Sequence, residues 1–315
     1  MKNSKLLFLA ISGAALVVLS TVLYRDSRSL PDTAPEQTAS PAHTAESDSS
    51  PNDPAPLPIR ESVLRLTGQL GDGAPASRRA ALKTLPPDLN PKELDAIYAS
   101  ILEHPQPETF PRRAWHALFS DTLNALVLQQ NTPVADLPHR LLAIVKDAGR
   151  HRVLRDYALQ QLLSFAEYRA GQSQRVGLLE TTWQEISQTR DSFRGTYLLA
   201  LSYKAGEPGW PAAAEVATKA WQVASADDAH VLSRITALQV CGKLGHREAL
   251  PLALQIATDS QAHMTLRTSA IATIGDLGAE PERTLLASLA EQSPQRLKVA
   301  IEAAISRIEG KRGQA

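Results

Sequence analysis

Eight histidines and one cysteine are the residues of this chain best suited to metal or nucleophilic chemistry. The histidines are His43, His104, His116, His139, His151, His230, His246 and His263. No two stand one helical turn apart and none sits in an H-E-x-x-H frame, so the sequence encodes no chelating helix face. Cys241 falls between Leu238 and Leu244 at helical steps, which makes it a small core residue rather than a nucleophile. No acid, base and nucleophile recur at catalytic spacing, and no glycine-rich phosphate loop is present. The expectation is a non-enzymatic protein without cofactor or metal.

Arginine carries the remaining chemistry. Arg78-Arg79, Arg112-Arg113 and Arg150-His151-Arg152 with Arg155 recur along the first half of the chain. Aligned on one edge, Arg78, Arg112, Arg152 and Arg155 would form a basic stripe suited to an acidic partner. The overall charge limits what that partner is. Residues 1–25 carry +3, residues 26–58 carry −5, and residues 59–315 carry +2. A nearly neutral domain of that size is not the electrostatic footprint of a nucleic-acid binder. Trp115, Trp183, Trp210 and Trp221 are spread along the chain, as stacking platforms or as packing between helices.

Three regions position these residues. Lys2 and Lys5 precede an uncharged run from Leu6 to Tyr24. As a helix at 1.5 Å per residue the run is about 28 Å long, close to the roughly 30 Å hydrocarbon core of a bilayer. It reads as a signal anchor or, with cleavage near Val18-Leu19-Ser20, as a signal peptide. The first leaves a single-pass membrane protein with an exported repeat domain. The second leaves a secreted or periplasmic one. Residues 26–58 hold Pro31, Pro35, Pro41, Pro51, Pro54, Pro56 and Pro58 but only Leu30 and Leu57 as large aliphatic residues. Such a stretch cannot bury enough apolar surface to offset its ordering entropy, so it is expected to be a disordered, acidic linker. From residue 59 to 315, Ala, Leu, Arg, Glu and Gln take over with helical periodicity.

That last region repeats. Arg234, Ala237, Gly242, Leu244 and Gly245 recur 33 residues on as Arg267, Ala270, Gly275, Leu277 and Gly278. Leu238 and Cys241 are matched by Ile271 and Ile274. Leu154-Arg155 with Ala158, Leu159, Leu162 and Phe165 has the same spacing, and Leu297-Lys298 with Ile301, Ile305 and Ile308 a looser one. Weaker copies begin at Arg78, Arg113 and Arg194. Apolar steps of three and four line one helix face. Gly245 and Gly278 stand where a helix is expected to end in a left-handed cap. Pro281 and Pro294 stand where helices are expected to start.

Residues 233–309 resemble the HEAT-repeat family. The resemblance rests on Leu244-Gly245-His246-Arg247-Glu248-Ala249-Leu250-Pro251-Leu252, with Asp259 and Arg267 at the turn and helix-start places. This is the variety of pattern seen in lyase-type members. Around residues 193–225, Gly206-Glu207-Pro208-Gly209 followed by Trp210-Pro211 and a helix toward Trp221 is as similar to a tetratricopeptide hairpin. The resemblance implies an all-α fold, a right-handed α-solenoid of about six to seven helical hairpins. It implies a scaffold or adaptor for proteins or peptides at the cell envelope. An enzyme on the same scaffold and a structural assembly subunit are the other readings. In the family an arginine at this place pairs with an Asp of a neighbouring turn, which competes with the basic-edge reading.

Overall fold

The computed structural model describes residues 58–108, 110–130 and 136–312. The apolar run 6–24 and all of the linker 26–58 except Pro58 lie outside them. Among the described residues no helix is long and apolar enough to cross a membrane.

The described chain is all-α. It contains 14 α-helices and no strand: α1 (Glu61–Thr67), α2 (Pro75–Ala81), α3 (Pro91–Ile97), α4 (Arg112–Val127), α5 (Leu137–Lys146), α6 (Arg152–Tyr168), α7 (Gln172–Ser187), α8 (Phe193–Lys204), α9 (Ala213–Ser225), α10 (Val231–Lys243), α11 (Ala249–Thr258), α12 (Met264–Leu277), α13 (Glu280–Gln292) and α14 (Gln295–Arg312). Two ends are irregular. Helix α2 tightens into a 3-10 turn over Leu82–Thr84, and α3 widens into a π-helical turn over Tyr98–Leu102.

The even-numbered helices form a continuous layer in which α2 packs on α4, α4 on α6, α6 on α8, and so on to α14. Each odd-numbered helix from α5, α9, α11 and α13 packs on the even helix that follows it. Position in this order explains amphipathicity. Helix α12 has neighbours on several sides and buries Leu266, Ala270, Ile271, Ile274 and Leu277 together with Ser269 and Thr273. Helix α13 buries only Leu286. A helix that is apolar nearly all round belongs to the interior, and one with a single buried residue belongs at the surface.

Polar groups inside the even layer are satisfied across helices. Ser269 Oγ donates to the Ile235 carbonyl at 2.8 Å and Thr273 Oγ1 to the Leu238 carbonyl at 2.9 Å. Arg307 donates to the Ala272 carbonyl at 3.1 Å and Lys311 to the Gly275 carbonyl at 2.9 Å. The Ile235, Leu238 and Ala272 carbonyls lie inside helices, so these bonds use their second lone pair, and Lys311 satisfies a last-turn carbonyl of α12 at Gly275; each ties one helix to the next without breaking either. Close approach makes them reachable: a Cβ on Gly275 would lie 2.8 Å from Ala304 Cα.

The expected core positions are where the periodicity puts them, with Leu238, Cys241, Ile271 and Ile274 all fully buried. The two expected glycine caps differ. Gly245 has φ 73°, in the left-handed region. Gly278 does not; its backbone is extended, with φ −74° and ψ 168°. The reason for glycine there is space, since a Cβ would sit 2.7 Å from the Ile274 carbonyl oxygen and 2.9 Å from Glu282 Cβ. Helix α13 starts only two residues later, leaving no room for a left-handed turn.

Candidate functional site at the helix starts

The four arginines of the expected basic edge divide according to their place in the helix. Arg112 and Arg152 are the first residues of α4 and α6. Arg78 and Arg155 are the fourth residues of α2 and α6. The fourth position turns the side chain back onto the end of the preceding helix. Arg155 Nε donates to the Val145 carbonyl at 2.8 Å, and Arg78 Nε to the Leu66 carbonyl at 2.6 Å. Both side chains are buried, each residue 6% exposed.

This contact is a repeated device. Arg234 Nε donates to the Ala224 carbonyl at 3.1 Å, and Arg267 Nε to the Ala257 carbonyl at 3.2 Å. In these two and in Arg155 the acceptor lies ten residues back in the chain. A guanidinium at a helix carboxyl end meets carbonyls without intrahelical partners and the negative end of the dipole, so burial there is compensated. Carboxylates add to it: Arg155 pairs with Asp191 at 2.9 Å and Arg234 with Asp227 at 3.6 Å. Rings cover the exposed faces, Phe193 lying 4.7 Å from the Arg155 guanidinium carbon, and Phe110 5.3 Å and Trp115 5.9 Å from that of Arg78. The terminal Nη2 of Arg78 is buried without a hydrogen-bond partner, and burial pushes its pKa down.

A histidine partners the arginine at three of these starts. His151, His230 and His263 are the caps of α6, α10 and α12. Each Nδ1 accepts from the backbone N–H two residues on, at 3.2, 3.2 and 3.3 Å. The signature is His-x-x-x-Arg, with Asp four residues earlier at Asp147 and Asp259. Metal-ligand spacing does not reveal it, because the histidine serves as a helix cap. It is visible in the sequence once the arginines are aligned.

Arg112 and Arg152 remain exposed. Near the start of α4 and at the cap of α6, the His116 and His151 rings meet, with centroids 4.8 Å apart. His116 is partly buried; its burial, then the neighbouring His151 and Arg112, hold its pKa below the ordinary imidazole range. The carboxylates of this neighbourhood are engaged elsewhere: Asp121 pairs with Arg79, Asp147 with Arg150 and Asp191 with Arg155. Helices α4 and α6 carry no acidic residue in their first turns. The structure therefore leaves Arg112 and Arg152 exposed at the starts of two packed helices that a histidine contact links, and turns Arg78 and Arg155 inward.

The other candidate features are structural in their surroundings. Burial pushes the Cys241 thiol up to about 12, and its Sγ faces the Ala217 carbonyl at 4.0 Å. Trp115 is fully buried against Phe110, Trp183 packs on Tyr197, Trp210 lies under Arg175 and Trp221 beside His246. Among the described residues no three His, Cys, Asp or Glu side chains gather where they could share a metal ion. A shallow cleft of about 170 Å³ is lined by Leu102, Glu103, Arg140, Ala143, Ile144, Asp147 and Arg150. Its Arg140 is held by Glu103 at 2.5 Å and Asp136 at 2.8 Å and lies over the Tyr98 ring at 4.2 Å. That guanidinium is already saturated, which leaves the cleft little to offer an anion.

The chain matches no family model, no curated protein and no solved structure.

Proposed function

We propose that this protein is a non-enzymatic scaffold that holds a protein or peptide on the surface of a HEAT-like α-solenoid at the cell envelope. The observation that carries the reading is the repeated helix start. An arginine at the fourth position reaches the end of the preceding helix in α2, α6, α10 and α12. The same device at intervals along a layer of helices stacked in chain order is what a repeat array requires, since each unit then rests mainly on its neighbours. A right-handed stack of about six to seven hairpins offers a long surface suited to extended partners. The run 6–24 would keep that surface at a membrane, with the repeats on the exported side and residues 26–58 as spacer.

The test is affinity capture with the purified full chain from an envelope extract. One or a few proteins should be retained, with retention only moderately reduced by salt. Recovery of no protein above a heat-denatured control would overturn the scaffold. The anchor is tested separately by alkaline carbonate extraction of membranes: the chain should stay in the pellet, and release into the supernatant would refute it.

A further inference from the structure

We infer that Arg112 and Arg152, with the His116–His151 pair linking their helices, form a docking site for a carboxylate-rich peptide segment of a partner protein. This rests on the scaffold reading and names the surface and the chemistry it uses. Arg112, Arg113 and Arg152 are exposed, and among the described residues none of them has an ion-pair partner. The carboxylates nearby are taken by Arg79, Arg150 and Arg155. Asp156, one turn into α6, is held by Thr196 Oγ1 at 2.8 Å and Gln160 Nε2 at 2.9 Å. Only Glu108, exposed and ahead of α4, stays without a pair.

The placement of these arginines opposes the stability of the fold. A helix start carries partial positive charge and favours Asp or Glu. Here α4, of 16 residues, and α6, of 17, each open on an arginine. Packing of α4 on α6 brings the two starts side by side, and the 4.8 Å contact of His116 with His151 fixes their register. Charge gathered against the dipole without an ion-pair partner is understandable when an anion arrives from outside.

The size of the patch selects a peptide. Packed helices lie about 8–10 Å apart, and two carboxylates three residues apart on an extended chain span roughly 10 Å. Val153, next to Arg152 and 37% exposed, adds an apolar contact that a peptide uses and a phosphate backbone does not. The patch covers two helix starts only, too few charges for the many phosphate contacts of nucleic-acid binding.

The experiment uses the purified full chain and fluorescence anisotropy. The probe is fluorescein-labelled hexaglutamate, with hexaglutamine and a thymidine dodecamer as comparisons. Hexaglutamate should bind at least about tenfold tighter than hexaglutamine at low salt. The double variant Arg112→Gln/Arg152→Gln should lose that preference. The variant Arg247→Gln/Arg296→Gln, with the same charge change far from the patch, should keep affinity within about twofold. Arg112→Glu/Arg152→Glu should abolish binding while raising the melting temperature, which a merely structural pair of arginines would not do. The site is refuted if both double glutamine variants lose the peptide equally, or if Arg112→Gln/Arg152→Gln retains full affinity. It is also refuted if hexaglutamine or the oligonucleotide binds as tightly as hexaglutamate. None of these results touches the scaffold reading, which fails on its own if the chain captures no envelope protein.

Discussion

Replacing Arg155 by methionine separates the two kinds of arginine that the sequence writes alike. Methionine keeps most of the stem and removes the guanidinium. The variant loses the 2.8 Å bond to the Val145 carbonyl and the 4.7 Å contact with the Phe193 ring. A hydrogen bond to a charged group contributes roughly 1.5–3 kcal/mol, and a cation–ring contact about 0.5–1 kcal/mol. The Asp191 carboxylate is 33% exposed, so water replaces its lost partner at little cost. Relief of the guanidinium desolvation offsets part of the loss. The net expectation is a destabilisation of roughly 2–3 kcal/mol. Arg152→Met, three residues away on the surface, should stay within about 0.5 kcal/mol of wild type or gain slightly by removing positive charge from a helix start. Urea unfolding followed by circular dichroism at the helix band measures both. Equal midpoints for the two variants, or a larger loss for Arg152→Met, would refute the distinction between first and fourth positions on which the site is built.

Gly275→Ala should lower stability by about 1–3 kcal/mol by overpacking, because its Cβ would meet Ala304 Cα at 2.8 Å and Cβ at 2.9 Å; an unchanged melting temperature contradicts the close approach of α12 and α14. Glu93 is buried and held by Arg60 at 2.6 Å. Burial alone pushes its carboxyl up, but the bonds from Arg60 and the backbone outweigh it and hold the pKa below the ordinary value. Its contribution is therefore full above the unfolded-state pKa and lost as pH falls through the folded one, and Glu93→Gln should flatten this acid limb and cost about 1–3 kcal/mol, since the Arg60 left behind is partly exposed and keeps Asp88. His116 is also depressed, so its neutral form stabilises the fold above the ordinary imidazole pKa and that contribution is lost on acidification. His116→Gln should remove that part of the melting curve's pH dependence between pH ~8 and ~5. The Cys241 thiol, fully buried and raised to about 12, should react with an aromatic disulfide reagent only as fast as the protein opens, and rapid labelling of the native chain would place it outside the core.

Where one residue's surroundings repeat at short range, the sequence reveals the fold. The steps of three and four through Leu238, Cys241, Ile271 and Ile274 require a buried helix face, and all four are buried. The segment from residue 59 to about 100 resists the same reading because α1, α2 and α3 are only seven residues long. Such helices give too few turns for a period to emerge. Gly278 illustrates a second limit. Glycine marks either a left-handed backbone or a tight contact, and only the neighbour, here Glu282 at 2.9 Å, shows which. The basic edge was half legible. The arginine clusters are plain, but whether one faces out or in depends on its distance from the helix start. Those starts lack the usual capping residues: α2 and α4 begin after Ala74 and Pro111, and α6, α10 and α12 after His151, His230 and His263. The pairing of His116 with His151 links residues on two helices, and no local spacing announces it.

The central claim is that this surface holds another protein, and crosslinking in native membranes tests it most directly. A photoreactive residue is placed in turn at Arg113, Val153, Arg247 and Arg296 of the full chain, and the membranes are irradiated before solubilisation. The scaffold account predicts a discrete, heavier adduct whose second component is one envelope protein. The docking inference adds that the adduct forms from 113 and 153, beside the two arginines, and that the attached segment is rich in Asp or Glu. A chain that forms no adduct from any of the four positions while present and folded in the membrane would contradict the claim.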